Sequence, residues 1–234
     1  MQPPTLSVVV PAFNEQTTIA ESMLRLSNVL DKAEISHEII VVSDGSTDDT
    51  VRVLEGLSIP DLQVVANQVN MGKGAALRTG SQRARGEFLA FQDADLDLHP
   101  EALVGLLALL ESTQADGAIG SKIHPDSVVH YPFARRVMSS GYRFLIRLEF
   151  DLRVSDTQTG VKVFKREKVV SHVQSVETNG FGFDLELLVR MHNAGLHVIE
   201  GPIVLDFQFE STVRINAVGT MFRDLVRLRR VLRN

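Results

Sequence analysis

The sequence predicts an α/β fold: a single domain over residues 1–234 with one mostly parallel sheet flanked by helices. Three observations predict it. Short β-branched runs alternate with amphipathic helical segments, the runs are apolar on both faces, and several break off into loops rich in Asp, Gly and Ser. Strands that are apolar on both faces must be covered on both, the condition of a sheet wrapped by right-handed crossover helices.

The elements follow in order. Leu6 to Val10 is a compact strand closed by Pro11 and the turn PAFNE. Thr17 or Thr18 opens a helix whose apolar residues, Ile19, Met23, Leu26 and Leu30, recur at helical spacing. Glu38 to Val42 is a second strand that breaks into SDGSTDDT, where Asp44-Gly45 forms a turn and Ser46 or Thr47 caps the helix carrying Val51 and Leu54. Asp61 to Ala66 is a third strand, and the Gly-rich NMGKG leads into the next helix. Phe88 to Phe91 is a fourth. Beyond Pro100 comes a helix carrying Leu103, Leu106, Leu107 and Leu110, then a short strand at Ala118 to Gly120. The alternation then loosens. A helix is predicted over 133–150, a strand over Val161 to Lys165, and a helix over 184–198 closed by Gly195. A late strand over Ile203 to Phe209 and a basic helix with Val218, Met221, Phe222, Leu225 and Leu232 on its apolar face complete the chain.

Composition excludes several function classes. The chain has no Cys, so disulfides, thiolate catalysis and cysteine-ligated zinc are ruled out. A net charge of -5 argues against a nucleic-acid partner, although Arg223, Arg227, Arg229, Arg230 and Arg233 face only Asp224 in the last dozen residues. No apolar stretch reaches spanning length and no signal peptide opens the chain, so a cytoplasmic protein is expected. The seven His residues lack metal-ligand spacing and are read as structural.

The stretch that carries chemistry is GEFLAFQDADLDLHPE, where a buried strand ends in Asp93, Asp95 and Asp97. Ligands of open α/β sheets bind at that carboxyl edge. Hard carboxylate oxygens crowded on a short loop repel one another unless a cation such as Mg²⁺ or Mn²⁺ neutralises them, and such cations grip diphosphates. A helix-capping loop is the plainer reading of three acids taken alone.

VVVPAFNE, VVSDGSTDDT, NMGKGAALRTG and FQDADLDLHPE, in this order, resemble the inverting family 2 glycosyltransferases of the GT-A fold. GSK at Gly120 to Lys122, Arg135, DTQTGVKVF and FDLELL resemble the polyprenyl-phosphate sugar synthases, the dolichyl-phosphate glucosyltransferase branch more than the mannosyl branch. The resemblance divides the domain into a nucleotide-sugar half, 1–122, and an acceptor half, 123–234. It implies metal-dependent inverting transfer of a hexose from a nucleotide sugar, UDP-glucose, to a polyprenyl phosphate. Under it Pro11, Phe13, Glu15 and Asp44 hold the nucleoside, Asp93 and Ala94 contact the nucleotide, and Gly72 and Lys73 approach the phosphates. The metal ligands are Asp93, Asp95 and Asp97, the cation being Mg²⁺ or Mn²⁺. Lys122, Arg135 and Arg214 position the acceptor phosphate, and Asp184 orients the acceptor or a basic neighbour. Asp184 and Glu186 are two apart on a helix and face different directions, so only one of them is expected to face the site.

A phosphate acceptor is already ionised, so cations that place it matter more than a base that activates it. Other readings stay open: a soluble or polysaccharide acceptor, and a nucleotide-sugar-binding module without turnover. The Arg-rich helices are either solvated faces packed on the core or a peripheral contact with an anionic membrane.

Overall fold

The computed structural model describes residues 3–129, 150, 152, 154–180 and 182–205. Residues 133–149 of the first predicted basic helix, the predicted helix at 218–233, the end of the predicted strand at 206–209, and Arg135 and Arg214 lie outside the described residues.

Strand β1 (Leu6–Ala12) lies inside the sheet, with Val8, Val9 and Val10 all fully buried. Leu6, Val8 and Val10 face one layer of helices, while Val9 faces the other. Burying one such side chain stabilises the fold by about 1.5–3 kcal/mol, so the two apolar faces of this one strand commit it to the centre. Helix α1 (Ile19–Lys32) buries Ile19, Met23, Leu26 and Leu30 against the first face, at the spacing the sequence predicts. Strand β2 (His37–Asp44) pairs parallel with β1 and leads to the short helix α2 (Thr50–Glu55). Strand β3 (Leu62–Asn67) pairs parallel with β2, and helix α3 (Lys73–Ser81) crosses back over the second face with Ala76 and Leu77 buried. Strand β4 (Phe88–Phe91) pairs parallel with β1 on its other side. Helix α4 (Glu101–Ser112) buries Leu103, Leu106, Leu107 and Leu110, and strand β5 (Gly117–Gly120) follows.

The sheet order places β7 (Lys162–Lys165) between β4 and β5, antiparallel to both. Strand β6 (Val128–Val129) precedes it in the chain and sits apart, paired in parallel with β9 (Val204–Leu205). Helix α5 (Arg166–Ser175) follows β7, and helix α6 (Gly182–Asn193) buries nearly its whole surface before β8 (Val198–Gly201) completes the seven-stranded sheet beside β5. The sheet is therefore mixed at one position within a mostly parallel order. Strand direction is not written in a four-residue apolar run, which is why KVFK carries no sign of its reversal. The sequence reading gave α5 no element, since only Val169 and Val173 of its ten residues are buried. Helix α6 ends at Asn193, short of the predicted 198, with Gly195 at φ +75° as its stop. Of the predicted late strand, Val204–Leu205 is strand among the described residues.

Candidate active site

Five segments meet at the carboxyl edge of β1, β2 and β4. The turn after β1 and the loop after β2 are laced together: the Asn14 backbone N–H donates to Ser46 Oγ (3.0 Å), Asn14 Oδ1 accepts from the Thr47 N–H (2.8 Å), and the Glu15 N–H donates to Thr50 Oγ1 (2.8 Å). Asn14 takes a left-handed φ of +56°, which Asn tolerates better than most residues. This lacing brings together Pro11, Phe13 and Glu15 from one motif and the 43–50 loop from the other. Phe13 is 45% exposed, an apolar ring left open at the edge.

Asp44, expected to face a nucleoside, is 3% exposed and turned toward the protein. Its Oδ2 accepts from the backbone N–H groups of Met71 (3.0 Å) and Gly72 (2.6 Å), and its Oδ1 from Asn67 Nδ2 (2.9 Å). Its carboxylate thus shapes the 67–72 loop that introduces Lys73. Gly72 sits at φ +98°, and a Cβ there would lie 2.5 Å from the carbonyl oxygen of Asn179. The glycine is required by both the backbone angle and the approach of the 176–180 loop. That loop is held from the other side: Glu186 accepts from Thr178 Oγ1 (2.6 Å) and from the N–H groups of Glu177 and Thr178, and the Gly74 N–H donates to the Asn179 carbonyl (2.7 Å). Those donors and Arg190 hold the Glu186 carboxyl below the usual range despite burial.

Lys73 Nζ lies 2.5 Å from Asp93 Oδ1 and 4.0 Å from Asp184 Oδ2. Burial opposes its charge, but Asp93 and Asp184, with help from Asp95, push its pKa up. Lys73 is therefore a fixed cation at physiological pH. Asp184 in turn accepts from Lys162 Nζ (2.7 Å), so a chain of contacts runs Lys162, Asp184, Lys73, Asp93; burial, with Lys73 nearby, lowers the Lys162 pKa against the pull of Asp184. As predicted, Asp184 and Glu186 serve different neighbours: Asp184 faces the lysines and Glu186 faces the 176–180 loop.

The acid run divides. Asp93 is taken up by Lys73 and packs against Gly160, where a Cβ would lie 2.0 Å from Asp93 Oδ2. Ala94 is buried. Leu96 takes φ +52°, a strained angle for Leu that turns the flanking acids outward. Asp95 reaches solvent, yet the surrounding protein, then Asp93 and Asp97, then more weakly Glu15, push it up to about 6. Asp97 is raised by burial and by Asp93. Among the described residues no group of three or more carboxylates or imidazoles converges as a metal site, so the trio Asp93, Asp95 and Asp97 does not form a ready cage. Its donor chemistry nonetheless suits a hard divalent cation: oxygen donors only, with the repulsion felt by Asp95 still uncompensated.

Lys122, after β5, is anchored to the 155–160 turn. Its N–H donates to Asp156 Oδ2 (2.9 Å), its Nζ lies 3.5 Å from the same oxygen, and the Asp156 and Ser155 N–H groups both donate to Glu200 Oε1. The side-chain oxygens of Ser121 and Thr159 are buried beside this turn without a hydrogen-bond partner.

Sequence reasoning missed Lys162 and the 176–180 loop. A signal for Lys162 was present: in VKVF the residues Val161 and Val163 share one face, so Lys162 and Phe164 share the other, and both faces are apolar. Because β7 is antiparallel, its first residue lies opposite Phe91, the last residue of β4, and so arrives at the carboxyl edge.

Residues 7–171 match the family model described as "Glycosyl transferase family 2". The chain is 32% identical over 217 residues to the glycosyltransferase AglD of Haloferax volcanii, covering 91% of this chain and 34% of that protein. It is 34% identical over 211 residues to the dolichyl-phosphate beta-glucosyltransferase of Drosophila melanogaster, covering 83% and 65%. The chain thus spans about a third and somewhat under two thirds of these two relatives. Among solved structures, glucosyl-3-phosphoglycerate synthase from Mycobacterium tuberculosis, in complex with Mn²⁺, UDP-glucose and phosphoglyceric acid, superposes with a TM-score of 0.71 at 23% identity, covering 96% of this chain and 78% of that one. Mannosyl-3-phosphoglycerate synthase from Rubrobacter xylanophilus gives 0.69 at 18% identity, covering 97% and 73%. With the motifs in register, the family match over most of the chain and the shared architecture, the chain belongs to the family 2 glycosyltransferases of the GT-A fold.

Proposed function

We propose that this chain transfers a hexose, glucose, from UDP-glucose to a polyprenyl phosphate with inversion at the anomeric carbon. The observation that carries this reading is Lys73, a fixed cation between Asp93 and Asp184 at the carboxyl edge where a donor diphosphate would lie. The dolichyl-phosphate glucosyltransferase names of its relatives support the acceptor class, and the UDP-glucose complex of a fold relative supports the donor.

In this reading an acceptor phosphate oxygen attacks the anomeric carbon as the bond to the UDP oxygen breaks, and the electron pair leaves with UDP. No proton need be removed, because the acceptor arrives as an anion. Lys73 meets the charge that grows on the diphosphate. Lys122, fixed by Asp156, draws in the acceptor phosphate as a point charge, with Arg135 and Arg214 assigned the same task. Pro11, Phe13 and Glu15 border the nucleoside, which Asp44 serves by setting the 67–72 loop. A divalent cation, Mg²⁺ or Mn²⁺, would be held by Asp95 and Asp97 together with donor oxygens and would neutralise the leaving group. Among the described residues no helix is long and apolar enough to cross a membrane, and we assign the Arg-rich segments at 133–150 and 218–233 a peripheral contact with an anionic bilayer at its cytoplasmic face.

A second reading, a soluble phosphorylated acceptor, is favoured by the fold relative that holds phosphoglyceric acid. Transfer assays with UDP-glucose, Mn²⁺ and either a short polyprenyl phosphate or 3-phosphoglycerate separate the two. NMR of the product should show a β-linked glucosyl phosphate; an α-linked product would defeat inversion. Turnover that persists in Asp95→Ala would defeat the role of the acid run, and absence of turnover with every acceptor would leave a binding module.

A further inference from the structure

Lys162 is 1% exposed, on the face of β7 that also carries Phe164. Phe91, its partner across the ladder, packs edge-on against Phe164 and Phe183, with centroids 5.8 and 6.1 Å away. An ammonium in such surroundings loses its hydration, and an apolar side chain of similar volume would fill the same space without that cost. What Lys162 has instead is two anchors: Asp184 Oδ1 at 2.7 Å and the carbonyl of Thr159. The Thr159 carbonyl lies one residue before Gly160, which packs on Asp93, and Asp184 turns its other oxygen toward Lys73. Lys162 therefore touches the supports of both members of the Lys73–Asp93 pair while lying beneath them. Without its partner, Asp184 would be free to rotate onto Lys73 and draw that ammonium away from Asp93.

We propose that Lys162 is a positioning residue: by holding Asp184 in one orientation it keeps Lys73 against Asp93, at the spacing that receives the donor diphosphate. The proposal rests on the reading of this edge as the donor site. Lys162 itself need not touch substrate; its hydrogen bond acts through Asp184.

The test measures UDP binding by calorimetry in the presence of Mn²⁺, well below the thermal midpoint, for Lys162→Met, Asp184→Asn and the double variant. A core truncation in α1 on the opposite face, Leu26→Ala, serves as a control matched for lost stability. We expect Lys162→Met to weaken UDP binding by about tenfold to a hundredfold, the usual effect of a small misplacement in a positioned site, and Leu26→Ala to leave it unchanged. The double variant should bind UDP no more weakly than Asp184→Asn alone, since the two act as one unit. Should Lys162→Met fail to fold, the comparison of the double variant with Asp184→Asn carries the test, because no buried charge is then left unpaired. Wild-type affinity in folded Lys162→Met, or a double variant clearly weaker than Asp184→Asn, would overturn the positioning role while leaving the donor site standing. A wild-type protein that binds no UDP would overturn the donor reading itself, and this inference with it.

Discussion

Replacing Gly160 by Ala probes the Lys73–Asp93 pair with a single methyl. The added Cβ would lie 2.0 Å from Asp93 Oδ2 and 2.6 Å from Asp93 Cγ, whereas ordinary contact begins at 3.4 Å. The carboxylate must therefore retreat by about 1.4 Å, and it can do so by rotating, since the Asp93 Cβ is already 3.3 Å away. Rotation leaves the fold intact but breaks the 2.5 Å contact with Lys73. A hydrogen bond to a charged group contributes about 1.5–3 kcal/mol, and the lower end applies here because solvent reaches the Asp93 side chain. If the contact holds Lys73 for the donor, its loss should lower donor affinity by up to roughly tenfold, the factor equivalent to about 1.4 kcal/mol. Calorimetric titration with UDP and Mn²⁺ reads it directly, alongside kcat/KM for transfer. Gly105→Ala, on the exposed face of α4 where a Cβ meets nothing within 4 Å, is the control. UDP affinity in Gly160→Ala within twofold of wild type, with folding preserved, would refute the view that the Lys73–Asp93 contact organises the donor site.

Asp95, raised from 3.8 to about 6, binds protons more tightly in the folded chain than in the unfolded one, so the metal-free protein should lose stability as pH rises from about 4 to about 6. The difference in thermal midpoint between wild type and Asp95→Asn should fall across that window, isolating Asp95 from the other carboxylates, and Mn²⁺ should offset the loss above about pH 6 more in wild type than in the variant. Asp44→Asn places an amide N–H or a weaker acceptor against the N–H groups of Met71, Gly72 and Asn67; a loss of about 1–3 kcal/mol in urea titration is expected, with weaker UDP binding as its consequence. Gly72→Ala combines an unfavourable φ of +98° with a backbone contact of 2.5 Å, so it should cost at least about 1–2 kcal/mol in the same titration and unseat Lys73; wild-type stability would show that the 176–180 loop yields easily.

Much of the fold is legible because β1, β2 and β4 are short runs, apolar on both faces and bounded by turns. Leu6, Val8 and Val10 against Val9 need both faces covered, and only helices on both sides satisfy them. The candidate site is legible to the extent that its residues end strands or start helices: Asp44, Lys73 and Asp93 all lie at such boundaries, where the chain leaves the core. The role of Asp44 was not legible, because a carboxylate after a strand looks the same whether it turns toward a ligand or back onto Met71 and Gly72. The three acids likewise read as one cation cluster, while Lys73, twenty residues earlier in the chain, takes one of them away.

Lys162 marks where local pattern stops informing. A lysine in a strand is ordinarily an outward residue; the alternation in VKVF places it on a covered face, but its arrival at the carboxyl edge follows only from the reversed direction of β7, set by the chain's return between β4 and β5. The reversal has a chemical consequence. A parallel strand in that slot would bring its carboxyl end to the donor edge, presenting Lys165 where Lys162 now stands and removing the Thr159–Gly160 turn from Asp93. The antiparallel strand instead delivers a turn and a cation from its amino end, so the donor edge is built from both directions of chain. That mixed edge lets a carboxylate on α6 and one after β4 share Lys73.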